Sequence, residues 1–441
     1  MGQGEEVGMG PTEGADFLAP DEIATLQQQA WSQQRTYVAQ TSPFLQRLWN
    51  GAKPPERLTE LAELPLCDKE ALRANQRAAP PFGDYLAAAP ERINRVHRTG
   101  GTTGTAMNLA LSAEDARITE VVGGRAHAAA GLGPGHRVVH CLNYQLWMGG
   151  VTDHLTLERT GATVIPFGVG DSHRLIRTIR ELGINAISCT PSYPAVLAKL
   201  IEEEIPDLRP ADLGLEFGFF GGEAGVDDPA FGERLYQIWG MTARNANYGV
   251  TDVLSNMAAQ CEHDSALHFV AADVLYPEII DPDSGAVLPF EAGTTGELVI
   301  THLARECQPL VRFRTGDVIA IEATGPCSCG REVPRFRARG RTDDMVVVRG
   351  INVFPTQVAA EINAEPAFSG EYRIRLAGAG PHDRLPLEIE LAAAAEDSTE
   401  LADWIAARIK HTLGVTAEVR LLAYGTLPRT AGKTRRVIRE E

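Results

Sequence analysis

Four short apolar runs, at 136–142, 163–166, 186–189 and 215–220, alternate with helical stretches at 150–160, 172–182, 193–204 and 229–239. Strands spaced by helices of this length pair in parallel, because the chain needs a crossover to return to the same end of the sheet. This rhythm restricts the region to an open α/β sheet, and such sheets bind ligands beyond the carboxyl ends of their strands. A further short strand is expected at 244–246.

The flanks follow other patterns. Positions 21–90 read as helices and loops, with a helix at 22–38 and breaks at Pro54, Pro65, Pro80 and Pro81. Ser112-Ala113-Glu114-Asp115 opens a helix that Gly131 ends. From 255 onward strands are expected at 268–275, 278–280, 296–301, 311–314 and 318–322, an antiparallel region with a turn at Asp281-Pro282-Asp283-Ser284-Gly285. Polar Gly340-Arg341-Thr342-Asp343-Asp344-Met345 precedes a last segment with helices at 356–363 and 398–413. The expected architecture is α/β: a large N-terminal domain at 21–341 with parallel βαβ sheets plus an antiparallel β region, a hinge at 342–345, and a small α+β C-terminal domain at 346–441. Glycine- and acid-rich positions 1–20 read as a disordered tail; Glu6 stands where a myristoylation signal needs Ser or Thr.

The formal net charge of −17 argues against tracking along nucleic acid and against a polybasic membrane surface. No apolar run is long enough to span a bilayer. Seven scattered cysteines do not resemble a disulfide framework, so a cytoplasmic protein is expected.

Against this frame several stretches carry chemistry. Arg98 precedes Thr99-Gly100-Gly101-Thr102-Thr103-Gly104-Thr105, whose amides and hydroxyls suit an anion such as polyphosphate; a surface turn between two strands has the same composition. Phe219-Phe220-Gly221-Gly222-Glu223-Ala224 ends a parallel strand in a glycine turn. Asn247-Tyr248-Gly249-Val250-Thr251-Asp252 offers an aromatic face, a glycine for close approach, a hydroxyl and a carboxylate for Mg²⁺. Arg312-Phe313-Arg314-Thr315-Gly316-Asp317 places a carboxylate at a tight turn, suited to a ribose diol. Near the end, Gly432-Lys433 sits in a glycine-flexed basic loop. Cys261 and His268, with six residues between them, and the knuckle Cys327-Ser328-Cys329-Gly330 supply three thiols and an imidazole for a structural zinc; His263 and Cys307 are rival ligands.

In this order and spacing the set resembles the adenylate-forming superfamily of acyl-CoA synthetases, adenylation domains and luciferases, and more closely its phenylacetate–CoA ligase branch. The branch is suggested by Gly340-Arg-Thr-Asp-Asp-Met-Val-Val-Val-Arg-Gly-Ile-Asn-Val-Phe-Pro355 and by Thr190-Pro-Ser-Tyr193. The resemblance implies an enzyme that uses ATP, Mg²⁺ and CoA to turn a carboxylic acid into an acyl-AMP and then a thioester. It implies a phosphate loop at Thr99, Gly100, Gly101, Thr102, Thr103 and Gly104, and an adenine turn at Gly222, Glu223 and Ala224. Asn247, Tyr248, Gly249 and Thr251 would continue the ATP site, with Asp317 and Arg341 on the ribose. Asp252 would hold Mg²⁺, and Thr251, Asp252 and Lys433 would be catalytic. Asp343 would be the hinge of a mobile C-terminal lid and Gly350 part of the CoA tunnel, while some members of the branch place a structural metal at positions matching Cys261, His268, Cys327 and Cys329.

Two departures stand out: Thr105 replaces the lysine that commonly follows the loop's last glycine, and Asp252 replaces a glutamate. Tyr144, Trp147, Phe219, Phe220 and Gly249 are candidate walls for a flat aryl acid such as phenylacetate, benzoate or an aminobenzoate. Other readings are a carrier-protein or amine acceptor for the acyl-AMP, a non-catalytic nucleotide sensor, and a dinucleotide-binding oxidoreductase. The last rests on Gly131-Leu-Gly-Pro-Gly-His136, which ends in histidine where the fingerprint needs glycine. A homodimer is compatible with this reading.

Overall fold

The computed structural model describes residues 14–99, 106–223, 226–349, 351–378, 382–428 and 436–440. Its central sheet has six strands in the spatial order Thr163–Pro166, Arg137–His140, Ala186–Cys189, Phe217–Gly221, Thr242–Val250 and Leu254–Ala258. The first five run parallel and the last returns antiparallel. The crossover helices start and stop where the sequence signals them. Asp171 accepts from the Arg174 amide ahead of the helix Ser172–Leu182, and left-handed Gly183 ends it. Asp228 caps Pro229–Trp239, which Gly240 ends in the same way. Both faces of the sheet are covered: Val139, Ile179, Ile187, Leu197, Phe220 and Trp239 pack on one, Val138, Leu157, Ala186 and Phe219 on the other.

The second sheet is antiparallel throughout, in the order Val287–Leu288, Leu275–Ile280, Thr295–His302, Phe313–Ala323, Arg335–Arg341 and Leu267–His268. Two expectations fail here. The strand expected over 268–275 is a two-residue strand followed by turns, because the Leu275 amide bonds back to the Ala271 carbonyl while 269–272 enter the core. The strands expected at 311–314 and 318–322 are one strand, Phe313–Ala323. Gly316 (φ +77°) is absorbed within it as an irregularity opposite Glu297–Val299, so Thr315-Gly316-Asp317 is not a free turn.

The run Gly131–His136 lies between the helix Ala113–Ala129 and the strand Arg137–His140. A dinucleotide fingerprint needs the reverse context, strand then helix, so that alternative falls. A hairpin, Ile93–Arg98 with Asn108–Ser112, flanks the glycine–threonine loop, the strand context that its surface-turn reading called for.

Residues 14–20, expected within a disordered tail, are ordered. Ala15–Phe17 forms a 3₁₀ turn, and fully buried Asp16 accepts from Arg331 Nε at 2.8 Å. The helix Pro20–Thr41 buries Trp31 and Val38, and its Gln27 and Gln34 side chains donate to the carbonyls of Ala272 and Arg305.

The last part of the chain builds its own core. A four-stranded sheet, in the order Ala417–Leu422, Leu385–Leu391, Phe368–Ala377 and Val437–Glu440, packs against the helices Pro355–Asn363 and Thr399–Leu413. Val358, Ile362, Ile374, Ile389, Ile405 and Ile409 fill the space between them.

Candidate active site

The parallel strands Phe217–Gly221 and Thr242–Val250 deliver two glycine-containing segments to one edge of the sheet. Gly222 adopts φ +80°, and a methyl group there would sit 3.7 Å from the Trp147 ring, so the predicted adenine turn and a predicted acid-pocket wall meet. Glu223 accepts from the Ser192 amide at 3.1 Å.

Tyr248 donates its hydroxyl to Asp317 at 2.9 Å, and Arg341 donates to the other Asp317 oxygen at 2.5 Å and to Asp343 at 2.8 Å. Residues expected on adenine, ribose and hinge thus form one hydrogen-bonded chain. Burial, reinforced by the Asp317 charge, holds the Tyr248 phenol well above its ordinary value and so keeps it a donor. Burial opposes the Arg341 charge too, but Asp317 and Asp343 more than offset it.

Beneath this chain lies Asp153. It accepts from Asn247 Nδ2 at 2.5 Å and from the Ser255 hydroxyl, bracing the strands on either side of the Thr251–Asp252 turn. Burial pushes its carboxyl up to about 6.

Asp252 holds a partner that no motif pointed to. Lys69, the first residue of the helix Lys69–Ala78, lies 2.6 Å from Asp252 Oδ2. Asp252 is only 3% exposed, and among the described residues its Oδ1 has no hydrogen-bond partner. A buried carboxylate oxygen left open is a ligand position for a hard cation, so the site fits Mg²⁺. The pair is separated by 183 residues and Lys69 lies in a stretch without glycine or repeat, so only the fold reveals it. Lys69→Met should cost about 2 kcal/mol by stranding the buried carboxylate, and adding Asp252→Asn should recover most of that loss in a thermal-unfolding double-mutant cycle.

Several expected ligand residues serve packing instead. The Thr99 hydroxyl accepts from the Met107 amide at 3.0 Å and the Thr99 amide donates back to the Met107 carbonyl, which ties the loop's neck. Gly249 makes room for the Ser255 carbonyl, which any side chain there would overlap. Phe219 stacks on Phe217 in one core, and Phe220 meets Phe231 in the core of the opposite face. Both phenylalanines are buried in these cores. Tyr144 remains half-buried, its hydroxyl 3.0 Å from His154 Nδ1, with His154 Nε2 3.1 Å from Glu158. Gly100, Gly101, Thr102, Thr103, Gly104, Ala224, Gly350 and Lys433 lie outside the described residues.

A separate cluster gathers Cys261, His268, Cys327 and Cys329, whose ligand atoms all lie within 4.8 Å of one another. Cys261 Sγ is 3.9 Å from Cys327 Sγ, and Cys329 Sγ is 3.5 Å from His268 Nε2. Zinc–sulfur bonds near 2.3 Å in a tetrahedron put ligand atoms roughly 3.8 Å apart, so the four residues fit a closed Cys₃His site. Burial pushes the Cys261 thiol up to about 12, aided by charge on Cys329 and Cys327, and drops His268 to about 4. His263 instead faces Glu262, and Cys307 is buried with Ala88 and Ala110, which removes both rivals.

Residues 32–303 match the AMP-binding enzyme family, and residues 350–440 match the AMP-binding enzyme C-terminal domain. The chain is 32% identical to a phenylacetate–coenzyme A ligase of Thermus thermophilus, aligning 96% of this chain with 98% of that one. It is 33% identical to the Pseudomonas putida phenylacetate–coenzyme A ligase, over 96% and 94% of the two chains. Among solved structures, 2-hydroxyisobutyryl-CoA ligase in the postadenylation state with R3-HIB-AMP superposes at a TM-score of 0.87, with 29% identity over 96% and 91% of the chains. The same ligase with 2-HIB-AMP and CoA in the thioesterification state gives 0.68, with 30% identity over 96% and 91%. With its strand-end glycine turns, its Tyr248–Asp317–Arg341 chain and full-length relatives of this kind, the chain belongs to the AMP-binding, adenylate-forming enzyme family, in its phenylacetate–CoA ligase-like branch.

Proposed function

We propose that the protein is an ATP-dependent carboxylate–CoA ligase whose acid is an aryl carboxylate of the phenylacetate, benzoate or aminobenzoate type. The observation that carries this reading is the convergence of Tyr248, Asp317 and Arg341 into one chain at the edge that also carries Asp252. An adenine ring can lie against Gly222 and Tyr248, and Asp317 can exchange its two protein donors for the ribose hydroxyls. In the first step a carboxylate oxygen attacks the α-phosphorus and pyrophosphate leaves; in the second a thiolate attacks the acyl carbon and AMP leaves.

Two anions meet in the first step, so it depends on fixed positive charge. Lys433 supplies it at the bridging oxygens, while Thr102 and Thr103 hold the outer phosphates. Mg²⁺ held by Asp252 would neutralise further phosphate charge. Thr251 orients the α-phosphate. With Thr105 in place of a loop lysine, the ammonium of Lys69, 2.6 Å from Asp252 Oδ2, is a positive charge beside this carboxylate.

The C-terminal segment 346–441 acts as a lid that turns at Asp343 after adenylation and brings Gly350 to the CoA tunnel. Trp147 and Tyr144 form the aryl wall, for which flat ring faces are suited. The Cys₃His cluster takes zinc, which staples 261–268 to 327–329 without touching substrate. The protein works in the cytoplasm.

Pyrophosphate release should be measured against a panel of aryl, alkyl and amino acids, with and without CoA. The expected result is strongest release with an aryl acid and CoA-dependent appearance of free AMP. Release without any CoA-dependent AMP would redirect the reading to a carrier-protein or amine acceptor. A preference for alkyl acids would overturn the aryl assignment.

A further inference from the structure

The helix Pro229–Trp239 reaches across to the C-terminal unit through Arg234. Arg234 Nη1 donates to the Ser369 carbonyl at 2.9 Å, and Nη2 lies 3.3 Å from both the carbonyl and Oδ1 of Asn363. Asn363 is the last residue of the helix Pro355–Asn363, so its carbonyl has no intrahelical donor. A cation there also meets the negative end of the helix dipole. The grip is reciprocal: Asn363 Nδ2 donates at 3.1 Å to Asp228, whose other oxygen caps the helix that carries Arg234.

The receiving surface is shaped for this guanidinium. Gly370 sits at φ +89° in a register irregularity of the strand Phe368–Ala377, and any side chain there would overlap Arg234 Nη1. Asp228, Arg234, Asn363, Ser369 and Gly370 can meet only in one docking of the two units. In that docking Arg436 is tied to Glu371 at 2.6 Å and to the Tyr372 carbonyl at 3.1 Å, and it feels the charge of Glu223 in the adenine turn. Arg436 follows Lys433 by three residues.

We propose that Arg234 is a positioning residue for the adenylation step: it caps a helix of the C-terminal unit and thereby holds that unit in the docking seen here. The proposal rests on the ligase reading above. Release of this cap is then one of the events that must precede thioester formation.

The test compares wild type, Arg234→Ala and Arg234→Lys in three measurements: acid-dependent ATP–pyrophosphate exchange, CoA thioester formation from chemically supplied acyl-AMP, and the distance between spin labels at Tyr236→Cys and Lys410→Cys. Misplacing a catalytic group by about 1 Å costs up to a hundredfold, so Arg234→Ala should lower exchange about tenfold to a hundredfold. Thioester formation should stay within about twofold, as expected for a loss confined to one step. The label distance should broaden. Arg234→Lys, which keeps the charge but not the fork, should fall between. Equal losses in both half-reactions would mark a merely structural role and overturn the proposal, as would unchanged exchange or an unchanged distance. A wild-type protein without exchange for any acid would overturn the ligase reading and this role with it, even where the distance shifts.

Discussion

Lys433→Ala is expected to reduce acid-dependent ATP–pyrophosphate exchange by about two to three orders of magnitude, the usual cost of removing one preorganised charge from a developing oxyanion. The same variant should convert supplied acyl-AMP and CoA to thioester at nearly the wild-type rate. The asymmetry follows from where charge develops. In the first step a carboxylate approaches a triphosphate, and negative charge grows on the bridging oxygen as pyrophosphate departs. In the second, a thiolate attacks a neutral acyl carbon and AMP leaves, with no triphosphate charge to overcome. The larger loss is expected here because Thr105 leaves the phosphate loop without its usual lysine, so fewer cations share the load. Lys69 does not substitute, since its ammonium is already held 2.6 Å from Asp252. Measuring the two halves separately checks the assignment, and parallel loss of both would assign Lys433 another role.

The second large effect concerns the thiol cluster. Purified protein should carry about one equivalent of zinc, and stripping it with a strong chelator should lower the melting temperature by about 10 °C or more, the equivalent of several kcal/mol for a unit of this size. Cys327→Ser should behave like the stripped protein. The expectation follows from the packing: Cys261, His268, Cys327 and Cys329 join segments that also meet at the two-residue strand Leu267–His268. Without a cation, burial keeps the Cys261 thiol protonated, its pKa pushed up to about 12. Metal binding must therefore displace protons, and zinc should dissociate progressively as the pH is lowered. Less than a tenth of an equivalent of metal in protein prepared without chelators would refute the site.

How far the chain could be read without its structure differs from region to region. The parallel sheet is legible because each strand and helix carries its own period and its own stop, as Gly183 and Gly240 show. The bounds of the strand Ile93–Arg98 were not, since its alternation is mostly polar and Val96 points to solvent. Six motifs mark the nucleotide site, yet the residues that hold it in shape carry no local signature. Lys69, Asp153 and Arg234 are ordinary charged helix positions until the fold brings Asp252, Asn247 and Asn363 to them. For Phe219 and Phe220 geometry alone was informative: neighbours on a strand point to opposite faces, and the two enter different cores. Gly249 marks the reverse error, a close backbone approach correctly sensed but directed at Ser255 instead of a ligand.

The contacts of the N-terminal segment bear on how this protein is made. Asp16 finds Arg331 across 315 residues, and Gln27 and Gln34 dock on carbonyls 245 and 271 positions ahead of them. During vectorial synthesis the first helix, with Trp31 and Val38 on its core face, leaves the ribosome long before the sheet that covers it exists. The parallel sheet at 137–250 can assemble meanwhile, but this helix must wait, apolar side bare, until residues 272–331 have been translated. Its closure is a late, long-range event of the kind that slows folding and invites aggregation. Residues 16–38 are thus secured only after partners some 245 to 315 positions later exist.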